Sequence, residues 1–148
     1  MNKQSAEALA LAVMVKYGLR DWKFGFSQSR NKAGTCWYGP KIIQLSEHFV
    51  ELNDLDRVLD TIKHEVAHAL VGWKAAHGPT WKKVAVAIGC SGERCWSHRD
   101  TNMPQRKRWV GTCPKCSKTF VRYGHVRPKS TLTYWCYCQV ALEWRETK

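Results

Sequence analysis

Residues 64–68 read His64-Glu65-Val66-Ala67-His68, two imidazoles four positions apart with a carboxylate directly after the first. On an α-helix a four-residue step returns to the same face, so both rings can reach one zinc ion at about 2.0–2.1 Å. Glu65 is turned about 100° from His64, near enough to hydrogen-bond an attacking water without ligating the metal. His77 follows nine residues after His68, and a helix-loop-helix turn can bring it back over the same face. Three neutral imidazoles leave the fourth position of a tetrahedral ion to solvent, the open geometry of a catalytic zinc. The plainer alternative is a pair of solvated histidines on a polar helix face. A metzincin would need Gly three and His six residues after His68, where this chain has Val71 and Lys74. Glu93, the one acidic residue between Glu65 and Asp100, is the competing third ligand.

A second set of metal-type residues lies near the C-terminus. Cys113-Pro114-Lys115-Cys116 and Cys136-Tyr137-Cys138 are separated by 19 residues, the pattern of two zinc-ribbon knuckles, the second tighter by one residue. Four thiolates close a tetrahedral shell, so this zinc is expected to be structural, supplying folding energy that a segment of this size cannot obtain by burial. Free core cysteines are the alternative, and His125 could stand in for one thiolate. Cys90, Cys95 and His98 form a looser group with no evident fourth ligand, and Cys36 reads as a buried core thiol.

Several elements must position these groups. Ala6, Leu9, Ala10, Val13 and Tyr17 predict a helix over 3–17, stopped by Gly18. Residues 21–46 are aromatic and β-branched, interrupted at Ser29-Arg30-Asn31 and Gly39-Pro40, and predict three short strands with hairpin-like turns. Asn53 or Asp54 can cap a second helix with an apolar stripe of Leu55, Val58, Leu59, Ile62, Val66, Ala69, Leu70 and Trp73. His64 and His68 centre on its opposite face. A third helix starts at Gly78-Pro79-Thr80, carries Trp81, Val84, Ala85 and Ile88, and ends at Gly89. Residues 97–108 read as a linker.

The 148 residues allow one ordinary domain with a small metal-stapled module, and exclude collagen-like, disordered and disulfide-knot classes. Charge is uneven: residues 1–93 hold 12 basic and 9 acidic residues, whereas 94–148 hold 12 basic and 3 acidic. The +9 of the C-terminal third suggests a polyanion partner, most often nucleic acid, against the alternative of a merely solvated basic surface. Arg106, Lys107 and Arg108 lead into the ribbon and Arg122, Arg127 and Lys129 lie on or near its hairpin, all suited to sequence-independent phosphate contacts. Trp109, Tyr123, Tyr134 and Trp135 could stack on exposed bases or pack within the ribbon. No apolar run approaches the roughly 18 residues needed to span a bilayer.

His64-Glu65-Val66-Ala67-His68, then His77-Gly78-Pro79 with Trp81 on the next helix, resemble the SprT-like family of zinc metallopeptidases, and the resemblance extends over most of the chain. It implies zinc at His64, His68 and His77, Glu65 as general base, and proteolysis near DNA, including of proteins crosslinked to DNA. The short chain and single ribbon are similar to the compact bacterial and phage members. Together these readings define an α+β minimal zincin-like domain over 1–108 and a β zinc ribbon over 109–148. The expected cofactors are two zinc ions, one catalytic and one structural. The expected partners are a protein substrate and DNA, single-stranded or distorted and read without sequence specificity. A cytoplasmic monomer with no membrane association is expected. The rival reading is a DNA-binding zinc-ribbon adaptor or regulator with a vestigial zincin site, and zinc-dependent hydrolysis of a non-peptide substrate is a third.

Overall fold

The computed structural model of the chain describes residues 1–93, 103, 108–123 and 134–147. The chain divides into two compact units, residues 1–104 and 105–148. Among the described residues no helix is long and apolar enough to cross a membrane.

The first unit is α+β. Helix α1 (Lys3–Lys16) is capped by Asn2, whose side chain accepts from the Ser5 N–H, and buries Ala6, Ala10, Val13 and Met14. Strands β1 (Lys23–Ser27), β2 (Gly34–Trp37) and β3 (Ile42–Ser46) form a sheet in the order β1-β3-β2. β2 and β3 make the expected hairpin, antiparallel with Cys36 opposite Ile43. β1, however, pairs parallel with β3, so no hairpin joins β1 to β2. The physical reason lies in β3: its Ile43 and Leu45 are fully buried, and the most apolar strand takes the centre, where both edges are paired.

A short helix, α2 (Glu47–Leu52), follows β3 directly and was not anticipated. Ser46, read as the end of a strand, is also its cap, accepting from Phe49 N–H at 3.2 Å while its hydroxyl donates to the Ser29 carbonyl. Asp54 caps α3 (Leu55–Val71) through the Arg57 N–H, and Gly72 ends it at φ 78°, a left-handed value that suits glycine. Val58, Ile62, Val66 and Ala67 face the core, whereas Leu55 and Leu70 are exposed and Trp73, 68% exposed, lies beyond the helix in a one-turn 3₁₀ segment (Trp73–Ala75). The apolar stripe is therefore shorter than its spacing suggested. Helix α4 (Pro79–Ala87) begins with Pro at its first turn and buries Trp81 and Ala85.

In the second unit, β4 (Arg108–Thr112) is central to an antiparallel sheet ordered β5-β4-β6, with β5 (Thr119–Tyr123) and β6 (Glu143–Thr147) on its two edges. Arg108, read as the last linker residue, opens β4. A Cβ at Gly111 would lie 2.8 Å from Trp144 ring atoms, so glycine is what allows that indole to lie flat across the strand. Arg106, Lys107, Arg127, Lys129, Cys95, His98 and His125 lie outside the described residues.

Ser46 ties the segment after β1 to the start of α2 by two hydrogen bonds in a fully buried position. Ser46→Ala is expected to lower unfolding free energy by about 1–2 kcal/mol, read as a shift of the urea midpoint at constant slope.

Candidate metal centre

Helix α3 places His64, Glu65 and His68 on one side, and the turn before α4 returns His77 to them. Nε2 of His64 and Nε2 of His68 each lie 3.0 Å from Nε2 of His77, and the three ligand atoms are all within 4.8 Å of one another. This is close to the edge of roughly 3.3 Å for a tetrahedron with 2.0–2.1 Å bonds. The face that carries them is only partly solvated, with His68 buried and His64 and His77 half-buried, in contrast to a fully solvated polar face. Trp81 of α4 is buried and seated against all three rings, with centroids 4.6 Å from His64, 5.2 Å and stacked on His68, and 4.7 Å from His77.

Burial, followed by the neighbouring imidazoles, lowers His64 and His68 to about 4. At neutral pH both therefore present free lone pairs. Three ring nitrogens converging on one point leave room for a shared cation, and a neutral nitrogen donor set suits zinc. His68 Nδ1 is buried and has no hydrogen-bond partner among the described residues. The residues thus fit a zinc ion. Glu93, the alternative third ligand, is not part of this cluster, and its side chain is exposed.

Glu65 is buried between α3 and β2, and burial pushes its carboxyl up to about 8 against the opposing charge of Lys32. A divalent cation on the adjacent imidazoles would draw that value down again. Its seat depends on a residue that the sequence did not flag. A Cβ at Gly34 would lie 2.7 Å from Glu65 Oε1 and 2.8 Å from its Cγ, so the carboxylate occupies the space of the missing side chain. Alternation along the chain puts Cys36 and Tyr38 on the Gly34 side. Both feel the Glu65 charge, and burial raises each to about 12. Cys36 is half-buried and faces this carboxylate, which corrects its reading as a core thiol. Cys90 does lie in the core of the first unit. A lone glycine in a strand was the one sequence signal that could have pointed to the close approach.

The second cluster comprises Cys113, Cys116, Cys136 and Cys138, with ligand atoms within 4.8 Å of one another and Cys116 Sγ 3.6 Å from Cys136 Sγ. The Lys118 backbone and then the surrounding thiols lower Cys116, whereas hydrogen bonds to Cys116 and Cys136 raise Cys138, so the metal-free thiols share their protons. Of the candidate stacking residues, Tyr123 and Trp135 are exposed. Tyr134 instead meets Trp144 edge-on at 5.4 Å and lies under the Arg122 guanidinium at 3.9 Å, and Trp109 is half-buried.

An open three-histidine site beside a carboxylate on one helix, with a separate four-thiol cluster, defines a zinc metallopeptidase that carries one catalytic and one structural metal site. The family model described as SprT-like family matches residues 6–105, and the chain belongs to that family. No curated protein matches the chain.

Metal analysis of the fully loaded chain is expected to give two zinc ions of unequal lability. A chelator should strip the histidine site first, because its fourth position is exchangeable, and His77→Ala should weaken that site while leaving the four-thiol site intact. One zinc per loaded chain would contradict the two-site assignment.

Proposed function

We propose that the chain is a peptidase acting on proteins at DNA, including proteins crosslinked to it, with the 1–104 unit as the peptidase domain and the 105–148 unit as a DNA-binding zinc ribbon. The observation that carries the peptidase reading is Glu65 set against Gly34 beside the three convergent Nε2 atoms. In this reading His64, His68 and His77 hold the catalytic zinc, and Cys113, Cys116, Cys136 and Cys138 hold the structural one. Bound zinc supplies Lewis-acid polarisation of the scissile carbonyl and acidifies water. Glu65 takes a proton from the attacking water and delivers it to the leaving amine. Trp81 backs the imidazoles and keeps water from that side. Among the described residues β2 has a single strand partner, β3, so its other edge offers backbone groups to an extended peptide, which favours a peptide over a small ester or amide. Paired thiols kept reduced for a metal suit a cytoplasmic setting.

Support for DNA comes from the basic C-terminal third and from one face of the ribbon sheet. Cross-strand register aligns Tyr123, Arg108 and Thr147 in one row and Val121, Val110 and Arg145 in the next. Tyr123 is 65% exposed, and Arg108 and Arg145 are exposed too. A tyrosine with one arginine opposite it and a second on the same face suits phosphates and an unstacked base, and hence single-stranded or distorted DNA without sequence readout.

Glu65→Gln is expected to keep both zinc ions and lower casein cleavage or self-cleavage by about 10²–10⁴-fold. Gly34→Ala should keep zinc and lower the rate by roughly 10²-fold, because its Cβ displaces the carboxylate. Unimpaired cleavage by Glu65→Gln would refute the base assignment and favour the adaptor reading. Replacing Arg108 and Arg145 with Ala should flatten the salt dependence of DNA binding, each lost phosphate contact removing about 0.7–0.9 from the log–log slope. Zinc content should be unchanged, and DNA-stimulated proteolysis should fall with binding. Stimulation that survives the loss of DNA binding would exclude a tethering role for the ribbon.

A further inference from the structure

One turn before His64, helix α3 carries Asp60, half-buried and absent from the chemistry above. Its carboxylate accepts two hydrogen bonds from the loop that follows α4: from Ser91 N–H at 2.6 Å and from Ser91 Oγ at 3.0 Å. Ser91 Oγ in turn accepts from the Glu93 N–H at 3.3 Å. The loop is tied to α3 a second time, by Lys63 Nζ donating to the Gly89 carbonyl at 2.9 Å. Two residues past Ser91, the Glu93 backbone approaches the His64 imidazole as an acceptor. Since His64 Nε2 faces His77 Nε2 at 3.0 Å, Nδ1 is the nitrogen left to meet the Glu93 carbonyl. The hydrogen bonds therefore leave α3 at Asp60 and cross the loop through Ser91 to Glu93, whose backbone lies against His64.

We propose that Asp60 and Ser91 are positioning residues for the histidine metal site, clamping the 90–93 loop so that the Glu93 carbonyl fixes the tautomer and orientation of His64. A ligating imidazole is held by the partner of its other nitrogen, and loss of such a partner lowers metal affinity by about 10–100-fold. A backbone carbonyl can serve as that partner only while its loop is fixed. Its described residues are exposed at Ser91 and Glu93 and are anchored to α3 by Lys63 at Gly89 and by Asp60 at Ser91. Glu93 thus enters the site through its backbone, whereas its side chain had been the competing ligand.

The proposal rests on the histidine cluster being the metal site, and the experiment separates the two. Zinc affinity of each site is measured in the full chain by chelator competition. Co(II) absorption is recorded alongside, with the thiolate bands of the four-cysteine site as internal reference. Asp60→Ala and Ser91→Ala are expected to weaken the histidine site by roughly 10-fold or more and to alter its Co(II) bands, leaving the thiolate bands unchanged. Asp60→Asn, which keeps an acceptor oxygen for the Ser91 N–H, should restore most of the affinity. Wild-type affinity and spectrum in both Ala variants would overturn the proposal. So would equal weakening of both metal sites, or an unfolded Asp60→Ala beside a Ser91→Ala that binds zinc normally. If the wild type itself took up no metal at the histidines, the metallopeptidase reading would fall with it, an outcome distinct from unchanged variants.

Discussion

The seating of Trp81 against three imidazoles is the contact on which the catalytic unit depends. Helix α4 crosses α3 there, and the same indole fills the space between the helices and forms the back of the metal site. An amphipathic helix with one apolar stripe would ordinarily leave its polar side to solvent. Here α3 has its stripe in the core and its histidine side under α4, and β2 lies against Glu65. Burial on both sides favours the neutral forms of His64 and His68 and takes Glu65 out of water.

That burial has a cost, which a cation offsets. Three convergent imidazoles beside a buried carboxyl form a costly cluster by themselves. A divalent ion held by His64, His68 and His77 would favour the charged form of the nearby carboxylate, which would couple metal binding to local stability in this unit. Around the cluster, glycine at 34 makes room for Glu65, and the Asp60–Ser91 clamp holds the loop from which the Glu93 backbone meets His64.

The second unit solves a different problem. Three five-residue strands bury few large side chains: Trp144 lies over Gly111, and Tyr134 packs between Trp144 and Arg122. So small a sheet needs a staple, and the four thiols brought together at the knuckles supply one. With one side of the sheet occupied by this aromatic packing, the opposite side is left with Tyr123 and two arginines exposed.

Features set by local spacing were legible in the sequence. The His64/His68 step, the Asp54 cap, the α4 start at Pro79, the stops at Gly18 and Gly89, and the two cysteine knuckles each follow from a period or a backbone preference within a few residues. The convergence of His77 and the α+β class were also within reach, because a short loop between helices limits where the chain can go. Tertiary structure alone decided the rest. β1 runs parallel to β3 because burial gave the centre of the sheet to Ile43 and Leu45, a competition among strands that no single strand records. Ser46 serves two elements at once, so its strand reading hid the helix that it caps. Gly34, Asp60 and Ser91 act on residues 31, 31 and 2 positions away, namely Glu65, Ser91 and Glu93. Contacts of the longer kind leave no period in the sequence, since they depend on which surfaces meet once the helices and the sheet have packed.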